Sequence, residues 1–248
     1  ELRRPENEHL LARLVELLPA NRAAGAGEVC EWIDRGGGGP SERFWTLDPL
    51  DGTRGFLRGD QYAIALALIV EGQVQLGVLA CPALPHALDR PGEGQGVVFV
   101  AERGHGWQAV ALDAPETTLP APREVIKRAV YGVEPSTSDH ELQARLAREV
   151  GLTADPLRLD SQAKYAAVAR GDAALYLRLP NPATPDYREK IWDHAAGALL
   201  VEEAGGVVSD STGQPLDFSA GRELARNRGV IASRNIDHAR VLDALRGL

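Results

Sequence analysis

Phe44-Trp45-Thr46-Leu47-Asp48-Pro49-Leu50-Asp51-Gly52-Thr53-Arg54-Gly55-Phe56 is the stretch on which the reading of this 248-residue chain turns. Residues 44–47 are apolar or β-favouring and read as a short buried strand. Asp48-Pro49 ends it, because proline has no N–H to give to a ladder. Asp48 and Asp51 then stand three apart at a strand end, where both can address one spot. Hard cations such as Mg²⁺ take carboxylate oxygens and complete their shell with water. Gly52 allows close backbone approach, and Thr53 offers a hydroxyl. Taken alone, the pattern is better read as a capped turn whose aspartates bond the backbone.

A second motif shifts that balance. Ile191-Trp192-Asp193-His194-Ala195-Ala196-Gly197 leads into an Ala/Leu-rich run that Gly205-Gly206 closes. Asp193 reads as the N-cap of that helix, with the glycines as its C-terminal stop. A capping carboxylate can still turn one oxygen to a metal; by itself Asp193 is a cap. His194 reads as structural.

The rest of the chain bounds the possibilities. Net charge is −8, which argues against non-specific nucleic-acid binding and means that an anionic substrate needs a metal or a local basic pocket. Cys30 and Cys81 make neither a disulfide framework nor a Cys-x-x-Cys site. No apolar run reaches membrane-spanning length and no secretory signal is seen, so a cytoplasmic setting is expected. There is no methionine, so the chain is not expected to begin where translation began. Lysine is confined to Lys127, Lys164 and Lys190 among many arginines, a weak hint that an ammonium is needed somewhere.

Apolar spacing predicts an amphipathic packing helix within residues 1–18 and a second, shorter one at 28–33. The four glycines of 36–39 make a surface loop; without Gly-Lys-Ser/Thr it is no P-loop. Residues 62–80 alternate on both sides of Glu71-Gly72, a β-hairpin, and 97–101 with 107–110 form another. The Pro-rich run 112–123 marks a boundary, giving an α+β half (1–118) and an α/β half (119–248). In the second half, strands at 125–131, 157–159, 174–179 and 229–232 alternate with helices at 139–150, 161–169, 193–204 and 236–245. Ser161 reads as an N-cap with Lys164 one turn on, either an anion site or a cap beside a solvated lysine. Arg178 lies in an apolar strand, where its charge needs a ligand phosphate or a neighbouring carboxylate.

Together, Asp-Pro-Leu-Asp-Gly-Thr and Trp-Asp-His-Ala-Ala-Gly…Glu-Ala-Gly-Gly resemble the inositol monophosphatase superfamily. The wider context of residues 45–59, with Asp160-Ser-Gln-Ala-Lys-Tyr165 and Tyr176-Leu-Arg-Leu-Pro180, is similar to its 3′(2′),5′-bisphosphate nucleotidases. The resemblance covers nearly the whole chain. It implies a layered α/β and α+β sandwich and a Mg²⁺-dependent, Li⁺-sensitive phosphatase that takes 3′-phosphoadenosine 5′-phosphate to AMP and phosphate. It places Asp48, Asp51, Asp193 and the Leu50 carbonyl on two or three Mg²⁺ ions, and Thr53 with Asp51 in the catalytic arrangement. Gly52 and Thr53 would cradle the phosphate, and Ser161, Lys164 and Arg178 would hold the nucleotide. His140 lies near a nucleotide-contacting histidine of the family, but at a different spacing, and reads rather as a surface residue. The partner implied is a small nucleotide, with neither nucleic acid nor membrane.

The family pattern also has a Gly-Glu-Glu segment well ahead of Asp-Pro-x-Asp, whose first Glu bridges metal ions, and an acidic residue further upstream that helps activate water. Neither is found here: Glu1 lies near where the first segment should end, and Glu28 and Glu31 stand in another context. The chain therefore reads as a member without its N-terminal part. Residues 1–248 alone are expected to turn over poorly, and to be monomeric or weakly self-associating. An inositol-phosphate phosphatase and a catalytically impaired, nucleotide-binding fragment are the competing readings; Ser161, Lys164 and Arg178 speak against the first.

Overall fold

Along residues 63–70 every second side chain, Ala63, Ala65, Ala67 and Ile69, is buried, as the two-residue period of a strand requires. In the computed structural model, which describes residues 1–90, 92–120, 124–133, 140–181 and 183–247, this run is the second strand of an antiparallel sheet. The sheet comprises β1 (Arg43–Asp51), β2 (Ala63–Val70), β3 (Gln73–Pro85), β4 (Gln95–Glu102) and β5 (Gly106–Ala111), side by side in that order. Both expected hairpins are present. Glu71 and Gly72 carry φ of 50° and 76°, the left-handed pair that a two-residue hairpin turn needs.

The opening stretch differs from expectation in two ways. It is a nine-residue edge strand, in which only Thr46 is buried while Trp45 and Leu47 are each 52% exposed. Nor does Pro49 end it. The register with β2 slips between Asp48 and Asp51 and resumes with Asp51 opposite Ala63. A proline is tolerated at such a bulge on an edge strand, where its missing N–H breaks no second ladder.

Residues 1–39 form a compact unit of their own. There α1 (Glu8–Glu16) packs on α2 (Ala26–Arg35), and Arg3 pairs with Asp34. No residue of α1 is buried, and Leu10, Leu14 and Leu17 are exposed. Residues 40–248 form the second unit, and the 118/119 division read from composition falls between its two sheets.

The second sheet has β6 (Ala129–Tyr131), β7 (Leu157–Arg158), β8 (Leu175–Arg178), β9 (Val207–Ser209) and β10 (Val230–Ser233) in the order β7-β6-β8-β10-β9. β6 runs parallel to β7 and β8, while β10 is antiparallel to β8 and β9. Between the sheets lie α5 (Ala163–Arg170) and α6 (Ala195–Glu203), preceded in the chain by α3 (Thr53–Arg58) and α4 (His140–Glu149). Every residue of α5 is buried, as are Ala195 to Val201 of α6. The buried part of α6 is apolar or small on all sides and belongs in a core, whereas α5 also carries Lys164 and Arg170 inward, the latter paired with Asp172; the alanines let the two helices approach closely. α4 and α7 (His238–Gly247) pack through Leu146, Ala147, Val241 and Ala244 into a second cluster with residues of the second sheet.

Gly197 is where α6 meets α5. A Cβ there would lie 2.4 Å from the Tyr165 ring, and Tyr165 is buried and hydrogen-bonded to His194. Helix propensity favours alanine over glycine by only ~1 kcal/mol, whereas overpacking a fixed core costs ~1–3 kcal/mol or more. Gly197→Ala is therefore expected to destabilise the protein, lowering its thermal midpoint by several degrees. An unchanged or raised midpoint would show that the ring yields.

Candidate active site

The bulge in β1 sets the first part of the site. Asp48 Oδ1 accepts from the Leu50 N–H at 3.0 Å, and the Thr53 hydroxyl donates to the Leu50 carbonyl at 3.3 Å. Both the turn reading and the convergence reading thus describe this loop. Gly52, with φ of 81°, reverses the chain into α3. A Cβ on Gly52 would stand 2.8 Å from Ser161 Cβ, so the loop presses directly on the segment that opens α5.

That segment differs from the expected N-cap. Ser161 lies one residue outside the helix in a left-handed conformation (φ 62°), and the capping position is Gln162. Ser161 Oγ still accepts from the Ala163 N–H at 3.2 Å. Lys164 is buried rather than solvated, donating Nζ to the Ser161 carbonyl at 2.8 Å and lying 5.5 Å over the Tyr176 ring.

Gln162, which no motif reading singled out, joins the parts. Its N–H donates to the Asp51 carboxylate. Its side chain donates to the Trp192 carbonyl at 2.8 Å and accepts from the Gly197 N–H at 3.2 Å. It thereby locks the start of α5 to the strand end and to the entry of α6. Asp193 is likewise not the cap of α6: His194 holds that position, and Asp193 ends a single 3₁₀ turn, Ile191–Asp193, packed on β1 and β2.

Tertiary packing thus brings Asp48, Asp51 and Asp193 together, with one carboxylate oxygen of each within 4.8 Å of the others. The electrostatic cost is visible. Burial, then the neighbouring Asp51, Asp48 and Glu189 carboxylates, push Asp193 up to about 7. Burial also raises Asp51, against the pull of Lys164 and the Gln162 N–H. Burial presses Lys164 down to about 8, although Asp51 favours its charge. Three carboxylates held this close, with no thiolate among them, make an oxygen donor set suited to a hard cation.

Beside this cluster is a cleft of about 230 Å³, lined by Asp51, Gly52, Thr53, Ser161, Lys164, Arg178 and Asp193 among others. Of the residues expected at the site from sequence, these seven share one cleft, and Asp48 joins through the carboxylate cluster. His140 opens α4, but its side chain lies outside the described residues, as does the preceding Ser136-Thr-Ser138. The counter-charge of Arg178, left open between a ligand and a carboxylate, includes Glu189, at 2.9 Å. Glu189 was not foreseen. The only signal for it was the demand of a strand-borne arginine for a carboxylate.

Comparison with known proteins bears on the same residues. The sequence profile of the inositol monophosphatase family matches residues 7–244. A 3′(2′),5′-bisphosphate nucleotidase of Schizosaccharomyces pombe is 46% identical over 231 residues, 88% of this chain and 64% of that protein. One from Oryza sativa is 48% identical over 206 residues, 79% of this chain and 57% of that protein. The chain thus spans less than two thirds of the length of these curated relatives. An inositol monophosphatase structure from Zymomonas mobilis matches with a TM-score of 0.59 at 20% identity, over 97% of this chain and 98% of that one, a likeness of fold.

Proposed function

Because this chain belongs to the inositol monophosphatase family, we propose that its protein removes the 3′-phosphate of 3′-phosphoadenosine 5′-phosphate, giving AMP and phosphate, with Mg²⁺ as cofactor. The observation that carries this reading is the convergence of three carboxylates with Lys164 and Arg178 around one cleft. A phosphatase of singly phosphorylated substrates needs the carboxylates; a bisphosphate nucleotidase also needs cations for the phosphate that stays. The names of the relatives at 46% and 48% identity agree with it.

Asp48, Asp51, Asp193 and the Leu50 carbonyl are the groups that would hold the ions, two or three in a complete family member. Bound Mg²⁺ would neutralise phosphoryl oxygens and lower the pKa of an attacking water. Thr53 and Asp51 would orient that water. The backbone N–H groups of Gly52 and Thr53 would cradle the phosphate. Ser161, Lys164 and Arg178 hold the nucleotide, the last two on the uncleaved phosphate, and His140 is a further candidate contact. Among the described residues no helix is long and apolar enough to cross a membrane.

The test is phosphate release from adenosine 3′,5′-bisphosphate by the full-length protein, with and without Mg²⁺, against inositol 1-phosphate at equal concentration. Mg²⁺-dependent release from the nucleotide, faster than from the inositol ester, is expected. Preference for the inositol ester would reverse the assignment.

A further inference from the structure

Glu189 holds two groups of the cleft at once. Its Oε1 accepts from Arg178 Nε at 2.9 Å, and its Oε2 lies 3.2 Å from His194 Nε2. Its side chain is only 11% exposed. Burial would raise its carboxyl, but the His194 bond and the Arg178 charge outweigh this and hold it at about 2. An ionised carboxylate only accepts, so His194 carries a proton on Nε2. His194 Nδ1 in turn meets the Tyr165 hydroxyl at 2.7 Å.

The same accounting constrains Arg178. Its Nε is committed to Glu189. A long arginine side chain at the end of a strand has many rotamers open to it. With Nε tethered, the guanidinium can turn only its Nη edge toward the cleft that it lines. That edge carries two parallel N–H donors and can grip two oxygens of a phosphate.

We infer that Glu189 is a positioning residue: it fixes the guanidinium of Arg178 for the uncleaved phosphate, and so sets the preference for nucleotides that carry a second phosphate. This rests on the nucleotidase reading and names the residue behind its selectivity. A purely electrostatic role has the opposite sign. A carboxylate beside Arg178 also dilutes its positive charge, so removing it would strengthen phosphate binding if orientation did not matter.

Glu189→Gln separates the two. The amide offers one acceptor and one donor group to two N–H donors, so at least one contact is lost. The measurement is calorimetric affinity for adenosine 3′,5′-bisphosphate against adenosine 3′-monophosphate, on the full-length protein. The affinity ratio should fall about tenfold in the variant, as for one charge-assisted contact. Tyr165→Phe, which removes the hydroxyl behind His194 and leaves Arg178 untouched, should keep the ratio of the unaltered protein. Nitrogen-15 spectra without nucleotide give a second readout: the Arg178 Nε–H signal should be protected from exchange and lose that protection in Glu189→Gln. An unchanged or increased ratio in Glu189→Gln, an equal fall in Tyr165→Phe, or an unprotected Nε–H in the unaltered protein overturns the role of Glu189. So does a protein that never distinguishes the two nucleotides. A protein that distinguishes them as described but releases no phosphate overturns the hydrolytic reading alone.

Discussion

Asp193→Asn is expected to lower phosphate release by orders of magnitude while making the metal-free protein more stable. Asp193 shares its site with Asp48 and Asp51, the three carboxylate oxygens lying within 4.8 Å of one another. Losing one of the three proposed metal ligands should remove several kcal/mol of transition-state stabilisation, so turnover should fall by about a hundredfold or more. The stability effect runs the other way. Asp193 sits at about 7 in the folded chain, because of burial and then of Asp51 and Asp48, against an ordinary carboxyl near ~4.

The folded state thus binds this proton more tightly than the unfolded state does. Stability contributed here is greatest at low pH, declines as pH rises from about 4 to about 7, and stays reduced above that. Asparagine carries no charge to repel. At pH 8 without metal, the variant should gain ~1–3 kcal/mol, and the downward slope between pH 4 and 7 should flatten. Asp51→Asn should lose turnover equally but gain little stability, because it strips buried Lys164 of the carboxylate that favours its charge. Thermal unfolding across pH, with phosphate release at saturating Mg²⁺, measures both. A variant at position 193 that still turns over normally would take that residue out of the site. Equal stabilisation by both changes would show that Lys164 does not depend on Asp51.

Lys164→Ala carries the second large effect. Lys164 is buried, opens toward the cleft, and spends a hydrogen bond on the Ser161 carbonyl. A charge-assisted contact to an anion contributes ~1.5–3 kcal/mol. The kcat/KM for adenosine 3′,5′-bisphosphate should therefore drop by about 10- to 150-fold. Adenosine 3′-monophosphate, which lacks the phosphate assigned to Lys164, should lose much less. Equal losses for the two nucleotides would mean that Lys164 serves Asp51 and the carboxylate cluster instead.

Local pattern carried much of this protein. The hairpins at Glu71-Gly72 and at residues 103–106 were legible, because alternation and turn chemistry act over a few neighbouring residues. So were the helices of the second half, and the two aspartate motifs with the family to which they belong. Four features were decided only when the chain closed on itself. Thr46 is buried but Trp45 and Leu47 are not, because Thr46 lies opposite buried Ala67 while its neighbours lie opposite Leu68 and Leu66 on the other face, and which face of a sheet is covered is settled by tertiary packing. β1 runs through Pro49, because a bulge on an edge costs no second ladder. Asp193 lies beside the cluster rather than at a cap, because a 3₁₀ turn packs on β1 and β2. Gln162 and Glu189 gained their places from partners up to 111 residues away in sequence. No periodicity spans such a distance; a buried hydrogen bond or ion pair selects its partner by position in space, and position in space exists only after the sheets and the two central helices have packed.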